Sequence, residues 1–385
     1  MTNTLIQGAV HKRTPQKRSQ AHTGIQPLSP LTHRTQKFQP LPDPLGEPPY
    51  HYDAKDAIPS LDNIISKYGK MIFHTVGDVG GIKSPEYQMA VAAAMKKDLY
   101  DLPEGEKPLF FHLLGDVVYY NGEHNEYYDQ FYEPYNHYDA PIFAIAGNHD
   151  GDPIDDAQQS LDGWVAYFMT KDPHIDPVSR DAPRVTMSLP NVYYTLITPM
   201  ATIIGMYTNV PEHGSIDSIQ QQWLTNEMHT AAEDKAVIIS LHHPIYSFDD
   251  HHSGSPAMAD ALQHAINDSR RLPNLVLTAH VHNYQRIEKE VNKKTKIPFL
   301  VAGHGGYYHL HNLTASAGDV DTHTGAKLVY GDAKNHGYVT LTVDAQHISG
   351  IMTTVDKETH EGTKTDSFSY SSKAHFLPDG DVISL

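Results

Sequence analysis

Pro108-Leu109-Phe110-Phe111-His112-Leu113-Leu114-Gly115-Asp116-Val117-Val118-Tyr119 is the stretch from which the rest of the chain is read. Through Leu114 it is almost continuously apolar, the pattern of a parallel strand covered on both faces. The run then stops at a glycine followed by a carboxylate. Open α/β sheets bind their ligands beyond the carboxyl ends of the strands, so Asp116 stands where chemistry is expected. Three residues on, Tyr119 brings a phenol within reach of the same place.

The same punctuation recurs on either side. Lys70–Val76 reads as a strand that exits into Gly77-Asp78-Val79-Gly80-Gly81, and Ser84-Pro85-Glu86 opens a helix running to about residue 99. A Tyr-rich segment over 126–131 reads as helical. Residues 141–146 form the next buried strand, capped by Gly147-Asn148-His149-Asp150. A helix over 157–169, strands over 192–197 and 201–206, and a helix over 216–232 with Trp223 inward follow. The apolar run 236–241 then leads into His242-His243-Pro244. After a helix over 257–266, the strand from Leu275 leads into His280-Val281-His282. From Ile297 on, strands are split by a Gly/His-rich loop, residues 303–337. Strands alternating with helices predict an α/β fold, and no internal repeat is visible.

Composition narrows the class. Cysteine is absent, which excludes disulfides and thiolate metal sites. There is no long apolar run, so no membrane span is expected. Residues 1–40 hold six Lys or Arg and no Asp or Glu, so of the net −17 the remainder carries −23. An acidic body argues against nucleic-acid binding. The Pro-rich basic stretch 1–45 reads as a disordered arm ahead of a single domain over 46–385. It lacks the apolar core of a secretory signal, which points to a cytoplasmic protein.

Five strand exits carry metal-type side chains: Asp78; Asp116 with Tyr119; Asn148 with His149; His242; and His280 with His282. Carboxylate, imidazole and amide oxygen suit Fe, Mn and Zn. A carboxylate at Asp116 can bridge two ions ~3.5–4 Å apart, the arrangement used for in-line attack on phosphorus. Histidines two apart in extended chain point oppositely, so His280 and His282 can serve one ion each.

These blocks resemble the calcineurin-like metallophosphoesterases, and within them the purple acid phosphatases. That pattern, D-x-G, G-D-x-x-Y, G-N-H-[DE], V-x-x-H and G-H-x-H, is met by Asp78-Val79-Gly80, Gly115-Asp116-Val117-Val118-Tyr119, Gly147-Asn148-His149-Asp150, Ile239-Ser240-Leu241-His242 and Ala279-His280-Val281-His282. Ile239 for Val and Ala279 for Gly are the departures. The resemblance covers residues 70–290 and is to the short form, without an N-terminal β-sandwich. It implies a four-layer α/β/β/α sandwich with two mixed sheets. It also implies hydrolysis of small phosphomonoesters by a metal-bound hydroxide at an Fe(III)–M(II) centre, M being Fe, Zn or Mn. A phosphodiesterase or nucleotidase would use the same metal pair.

On the same resemblance, one ion takes Asp78, Asp116, Tyr119 and His282, and the other Asp116, Asn148, His242 and His280. His149 would bind substrate phosphate, with Asp150 orienting it. His251 and His252 are similar to a plant-type pair that contacts phosphate and protonates the leaving group, while His243 is expected to be structural. General metallophosphoesterases have D-x-H in the first block, where this chain has Gly80. A phenolate in place of a neutral imidazole adds the negative charge that balances a trivalent–divalent pair. The remaining histidines at 304, 309, 311, 323 and 336 read as a surface loop over the cleft.

Overall fold

The computed structural model describes residues 36–292 and 295–385. Most of the expected basic arm, residues 1–35, lies outside them. Residues 36–46 run along the domain: Asn209 Oδ1 accepts the Gln39 N–H (2.7 Å), and the Pro190 carbonyl accepts the N–H groups of Leu45 and Gly46.

Two mixed sheets face each other. The first has the order Gly362–Ser371, His347–Val355, Gly337–Asp344, Lys70–Val76, Phe111–Leu113, Ile142–Ala144. Its last three strands are parallel, as their apolar runs require, and the C-terminal strands add antiparallel beside Lys70–Val76. The second runs His51–Asp53, Tyr194–Ile197, Ala201–Gly205, Ala236–Ser240, Leu275–Thr278, Thr295–Ala302, Tyr284–Asn292, Ala326–Asp332. The sheets touch directly where His112 Nε2 meets Ser240 Oγ at 2.9 Å and where Gly77 N–H donates to the Ala302 carbonyl at 2.8 Å.

Helices cover both outer faces. Glu86–Asp101 lays Ala90, Val91, Ala94 and Met95 on the first sheet, the alanines allowing a close approach. Ser218–Thr230 and Pro256–Ser269 pack together on the other side. Both start on a side-chain cap: Asp217 accepts from Gln220 N–H, and Ser255 from Met258 N–H with Pro256 in the first turn. The result is the expected four-layer sandwich. Trp223 is turned inward, its indole N–H on the Pro49 carbonyl (2.7 Å). Among the described residues no helix is long and apolar enough to cross a membrane.

Several elements differ from expectation. The helix expected over 157–169 forms only over Asp162–Phe168, because Asp155 Oδ1 takes the N–H groups of Ala157 and Gln158 into a side-chain turn. The Tyr-rich segment is a 3₁₀ turn, His124–Glu126, followed by a wide π turn, Tyr128–Tyr132. That widening buries Phe131 and Tyr132 against Tyr167 and leaves Gln130 facing the metal-type turns. The loop over 303–337 contains a strand of its own, Ala326–Asp332, paired with Tyr284–Asn292. The strand His51–Asp53 and the helix Leu61–Tyr68 had no expectation at all.

Candidate metal centre

Five turns build the site, each following a buried strand, and three of them hold a non-glycine residue at positive φ. Asp78, Asp116 and His280 sit just past Lys70–Val76, Phe111–Leu113 and Leu275–Thr278, with φ of 54°, 51° and 65°. A non-glycine residue held there costs about 1–3 kcal/mol. The turns sustain it by bonding to one another. Asp78 N–H donates to the Gly115 carbonyl (3.0 Å), Val79 N–H to Asp116 (3.2 Å) and Ala279 N–H to His242 (3.0 Å). Asp78 Oδ2 accepts the His280 N–H (2.8 Å), and Asp116 Oδ1 accepts the His149 N–H (2.9 Å). A Cβ on Gly147 would stand 2.2 Å from Asp116 Oδ1, so only glycine lets the Asn148 turn close over that carboxylate.

Two groups of donor atoms result. Asn148 Oδ1 lies 3.1 Å from His242 Nε2 and 2.8 Å from His280 Nδ1, and His242 Nε2 lies 3.4 Å from Asp116 Oδ2. Tyr119 Oη lies 3.0 Å from Asp78 Oδ1 and 3.2 Å from His282 Nε2, with 3.5 Å between the latter two. Donors about 2.1 Å from one tetrahedral ion stand about 3.4 Å apart, so each group has the spacing of one coordination sphere. Ligand atoms of Asp78, Asp116 and His242 fall within 4.8 Å of one another, which joins the groups through Asp116. Asp116 Oδ2 is buried with no hydrogen bond among the described residues. The imidazoles are aimed from behind: His242 Nδ1 donates to the Leu114 carbonyl (2.8 Å) and His282 Nδ1 to the His309 carbonyl (3.2 Å). The donor set fits a pair of metal ions.

Tyr119 fills the place that Gly80 leaves. A Cβ on Gly80 would stand 2.7 Å from Tyr119 Cδ2 and 2.6 Å from Gln130 Oε1. Gln130 grips the tyrosine backbone at both ends, accepting its N–H (2.9 Å) and donating to its carbonyl (2.7 Å). Gln88 in turn donates to the Gln130 carbonyl (2.6 Å) and accepts the Gly81 N–H (2.9 Å).

Without cations the cluster is electrostatically frustrated. Burial, and then the nearby Asp116, push Asp78 well above the usual carboxylate range. Burial acts the same way on Asp116 but is outweighed by the His242 and His149 rings, which hold it ionised. His242 is raised to about 9, the Asp116 carboxylate overcoming burial. Burial and the two aspartates lift the Tyr119 phenol well above its ordinary value. Ionising that phenol therefore takes a strong local positive charge.

The other expected residues divide. His149 packs on Tyr119 with ring centroids 4.5 Å apart, and its Nδ1 donates to the Tyr120 carbonyl (2.7 Å). Asp150, expected to orient it, instead accepts the backbone N–H groups of Gly147 (2.8 Å), Val117 (3.0 Å) and Val118 (3.3 Å). This carboxylate therefore ties two metal-type turns together. His252 faces the site, its ring 4.5 Å from that of His280 and its Nδ1 2.5 Å from Glu212 Oε1. His251, expected beside it at the phosphate, turns outward with a 51% exposed side chain and its Nδ1 on Asp250 (2.6 Å). Neighbouring side chains diverge on this loop, and separate carboxylates hold the two rings apart. His243 packs behind His280 and bonds Thr208 Oγ1 (2.7 Å).

Four contributors were not expected from the sequence: Gln130, Glu212, Tyr307 and His311. Tyr307 lies 4.5 Å from Tyr119 and 4.3 Å from His282 between ring centroids, and His311 lies 4.6 Å from His282. The spacing His309-Leu310-His311 repeats that of His280-Val281-His282 and was the available signal.

Comparison with curated proteins finds no match. Among solved structures, GAP50, the anchor in the inner membrane complex of Plasmodium, superimposes with a TM-score of 0.56 at 14% identity, over 79% of this chain and 89% of that one. Purple acid phosphatase PPD1 from yellow lupin (Lupinus luteus) seeds gives 0.55 at 17% identity over 78% of this chain, which spans only 54% of the lupin chain. PhoD gives 0.50 at 12% identity, over 82% and 72%. At such identities the likeness is one of fold. The sequence model of the calcineurin-like phosphoesterases matches residues 71–284, more than half the chain and the span that holds every donor of the two groups. With that match and this fold together, the chain belongs to the calcineurin-like phosphoesterase family, hydrolases that act on phosphate esters at a dimetal centre.

Proposed function

We propose that this phosphoesterase is an acid phosphatase of the purple type, hydrolysing small phosphomonoesters at an Fe(III)–M(II) centre with M = Fe, Zn or Mn. One observation carries the reading: the Tyr119 hydroxyl completes a triangle with Asp78 and His282, and Gly80 makes room for its ring. A phenol so buried, beside two carboxylates, keeps its proton unless a high positive charge draws it off. The Asp78, Tyr119, His282 group is thus matched to a trivalent ion, and the Asn148, His242, His280 group to a divalent one.

When bound, such a pair supplies Lewis acidity toward phosphoryl oxygen and lowers the pKa of coordinated water. The chain's own groups do the rest. His149, fixed by the Tyr120 carbonyl, binds a phosphate oxygen, and the Asn148 amide lies beside it. The strained, cross-bonded turns hold these groups in place before substrate arrives, so little reorganisation is needed. His252, braced by Glu212, delivers a proton to the departing alkoxide.

The test compares wild type and Tyr119→Phe after loading with iron and zinc, by visible absorption and by turnover of a monoester and a diester. A tyrosinate-to-iron charge-transfer band is expected in the wild type and absent in the variant, with the monoester the faster substrate. A colourless iron-loaded wild type removes the ferric assignment, and a faster diester removes the monoesterase.

A further inference from the structure

Each imidazole of the His280-Val281-His282 block has a second imidazole packed against it. His252 lies 4.5 Å from His280, and His311 lies 4.6 Å from His282, with 5.4 Å between His252 and His311. Both outer rings are anchored in the same way, through Nδ1 to a carboxylate: His252 to Glu212 (2.5 Å) and His311 to Asp249 (3.1 Å). Among the described residues nothing bonds either Nε2, and neither atom is sealed from solvent.

We propose that His311, anchored by Asp249, contacts the substrate and forms with His252 a two-imidazole clamp on the phosphate oxygens, the role that the sequence pattern assigned to His251. This rests on the phosphatase reading and specifies which groups hold the phosphate. The side chain of Asp249 is fully buried, and besides the His311 ring it accepts the N–H groups of His251 (3.0 Å) and His252 (2.9 Å) and the Asn283 amide (2.8 Å). One carboxylate therefore fixes the backbone at His252 and the ring of His311 together. The two loops are also stitched directly, Asp250 N–H to the Asn312 carbonyl (3.1 Å) and Thr314 N–H to the Phe248 carbonyl (2.8 Å). His251 has no such place: it stacks on the face of His311 at 4.3 Å and is open to solvent. The segment that supplies His311 also supplies the His309 carbonyl that aims His282. A phosphoryl group presents several oxygens, and rings already fixed at Nδ1 lose little rotational freedom on binding one at Nε2.

The competing occupant of this corner is a third cation, since ligand atoms of Asp249, His251 and His311 lie within 4.8 Å of one another. The experiment uses the full chain loaded with metal and measures inorganic phosphate binding by calorimetry, metal content per chain, and turnover. His311→Ala is expected to weaken phosphate binding about tenfold at unchanged metal content, the worth of one charge-assisted hydrogen bond. His311→Gln, whose amide nitrogen reaches the place of Nε2, is expected to recover most of the loss. The loss on His311→Ala should exceed that on His251→Ala. If His311→Ala disturbs His282 and sheds metal, Asp249→Asn, which removes the anchor of the His311 ring, carries the comparison and is expected to weaken phosphate binding. Phosphate affinity of His311→Ala within about twofold of wild type at full metal content overturns the clamp. So does a third equivalent of metal lost in Asp249→Asn, which would assign the corner to a cation. A metal-loaded wild type that neither binds phosphate nor turns over a monoester fails the phosphatase reading itself, a result distinct from either of these.

Discussion

Replacing Gly80 by alanine isolates the steric half of the exchange that brings Tyr119 to the metal site. The added methyl would stand 2.7 Å from Tyr119 Cδ2 and 2.6 Å from Gln130 Oε1. Carbon atoms rest at about 3.5 Å or more, so the ring would have to retreat by roughly 0.8 Å. It has little freedom to do so. Gln130 grips the Tyr119 backbone at 2.9 and 2.7 Å, and the ring is wedged between His149 and Tyr307, each 4.5 Å away. Overpacking of this kind costs about 1–3 kcal/mol, and any retreat lifts Oη off Asp78 and His282. Urea unfolding of the metal-free protein should therefore show that loss of stability. The iron-loaded variant should bind less iron and show a weakened visible band. In a Tyr119→Phe background the steric cost persists with no colour left to lose, which separates the two effects. A Gly80→Ala protein with wild-type colour and stability within about 0.5 kcal/mol would refute the coupling between the two positions.

Two further outcomes follow from groups around the site. Asp150→Ala leaves the buried N–H groups of Gly147, Val117 and Val118 without their acceptor. At about 1–3 kcal/mol for each, a stability loss of roughly 3 kcal/mol or more is expected by chemical denaturation. Lost turnover at full stability would instead restore the role of orienting His149. Burial holds the His112 imidazole at about 4, and burial together with His336 holds His304 at about 3. Both are neutral in the folded protein, so above about pH 6.5 they leave stability unchanged. Below that the unfolded chain binds protons that the folded chain refuses, and each histidine removes about 1.4 kcal/mol per pH unit until its folded value is reached. Unfolding of the metal-free protein at a series of pH values should show this slope. Replacing either histidine by a neutral residue should reduce it, and an unchanged slope would reject the assignment.

The order of the site was legible in the chain because two physical constraints write it there. A parallel strand between covering layers must be apolar on both faces, and a ligand for a hard cation must be oxygen or nitrogen. Asp78, Asp116, Asn148, His242 and His280 therefore appear as polar interruptions at the ends of apolar runs. The absence of a side chain at Gly80, paired with a phenol at Tyr119, was legible for the same reason.

What only the folded chain decided lies between loops that are far apart in sequence. Nothing local marks Asp150 as the acceptor for Val117 and Val118 rather than the partner of His149, since the same carboxylate serves either role. Nor does the adjacency of His251 and His252 reveal that one ring faces His280 and the other faces solvent. Glu212, reached from another loop, holds the His252 ring, while the adjacent Asp250 holds that of His251. His311 arrives from a Gly- and His-rich segment whose His309-Leu310-His311 spacing does not reveal which groups the ring will meet. It is placed by Asp249 and by the backbone bonds joining its loop to Phe248 and Asp250. Strand periodicity is a local property and can be read along the chain. The pairing of loop carboxylates with loop imidazoles depends on which turns the two sheets bring together, and that is settled only when the sheets pack.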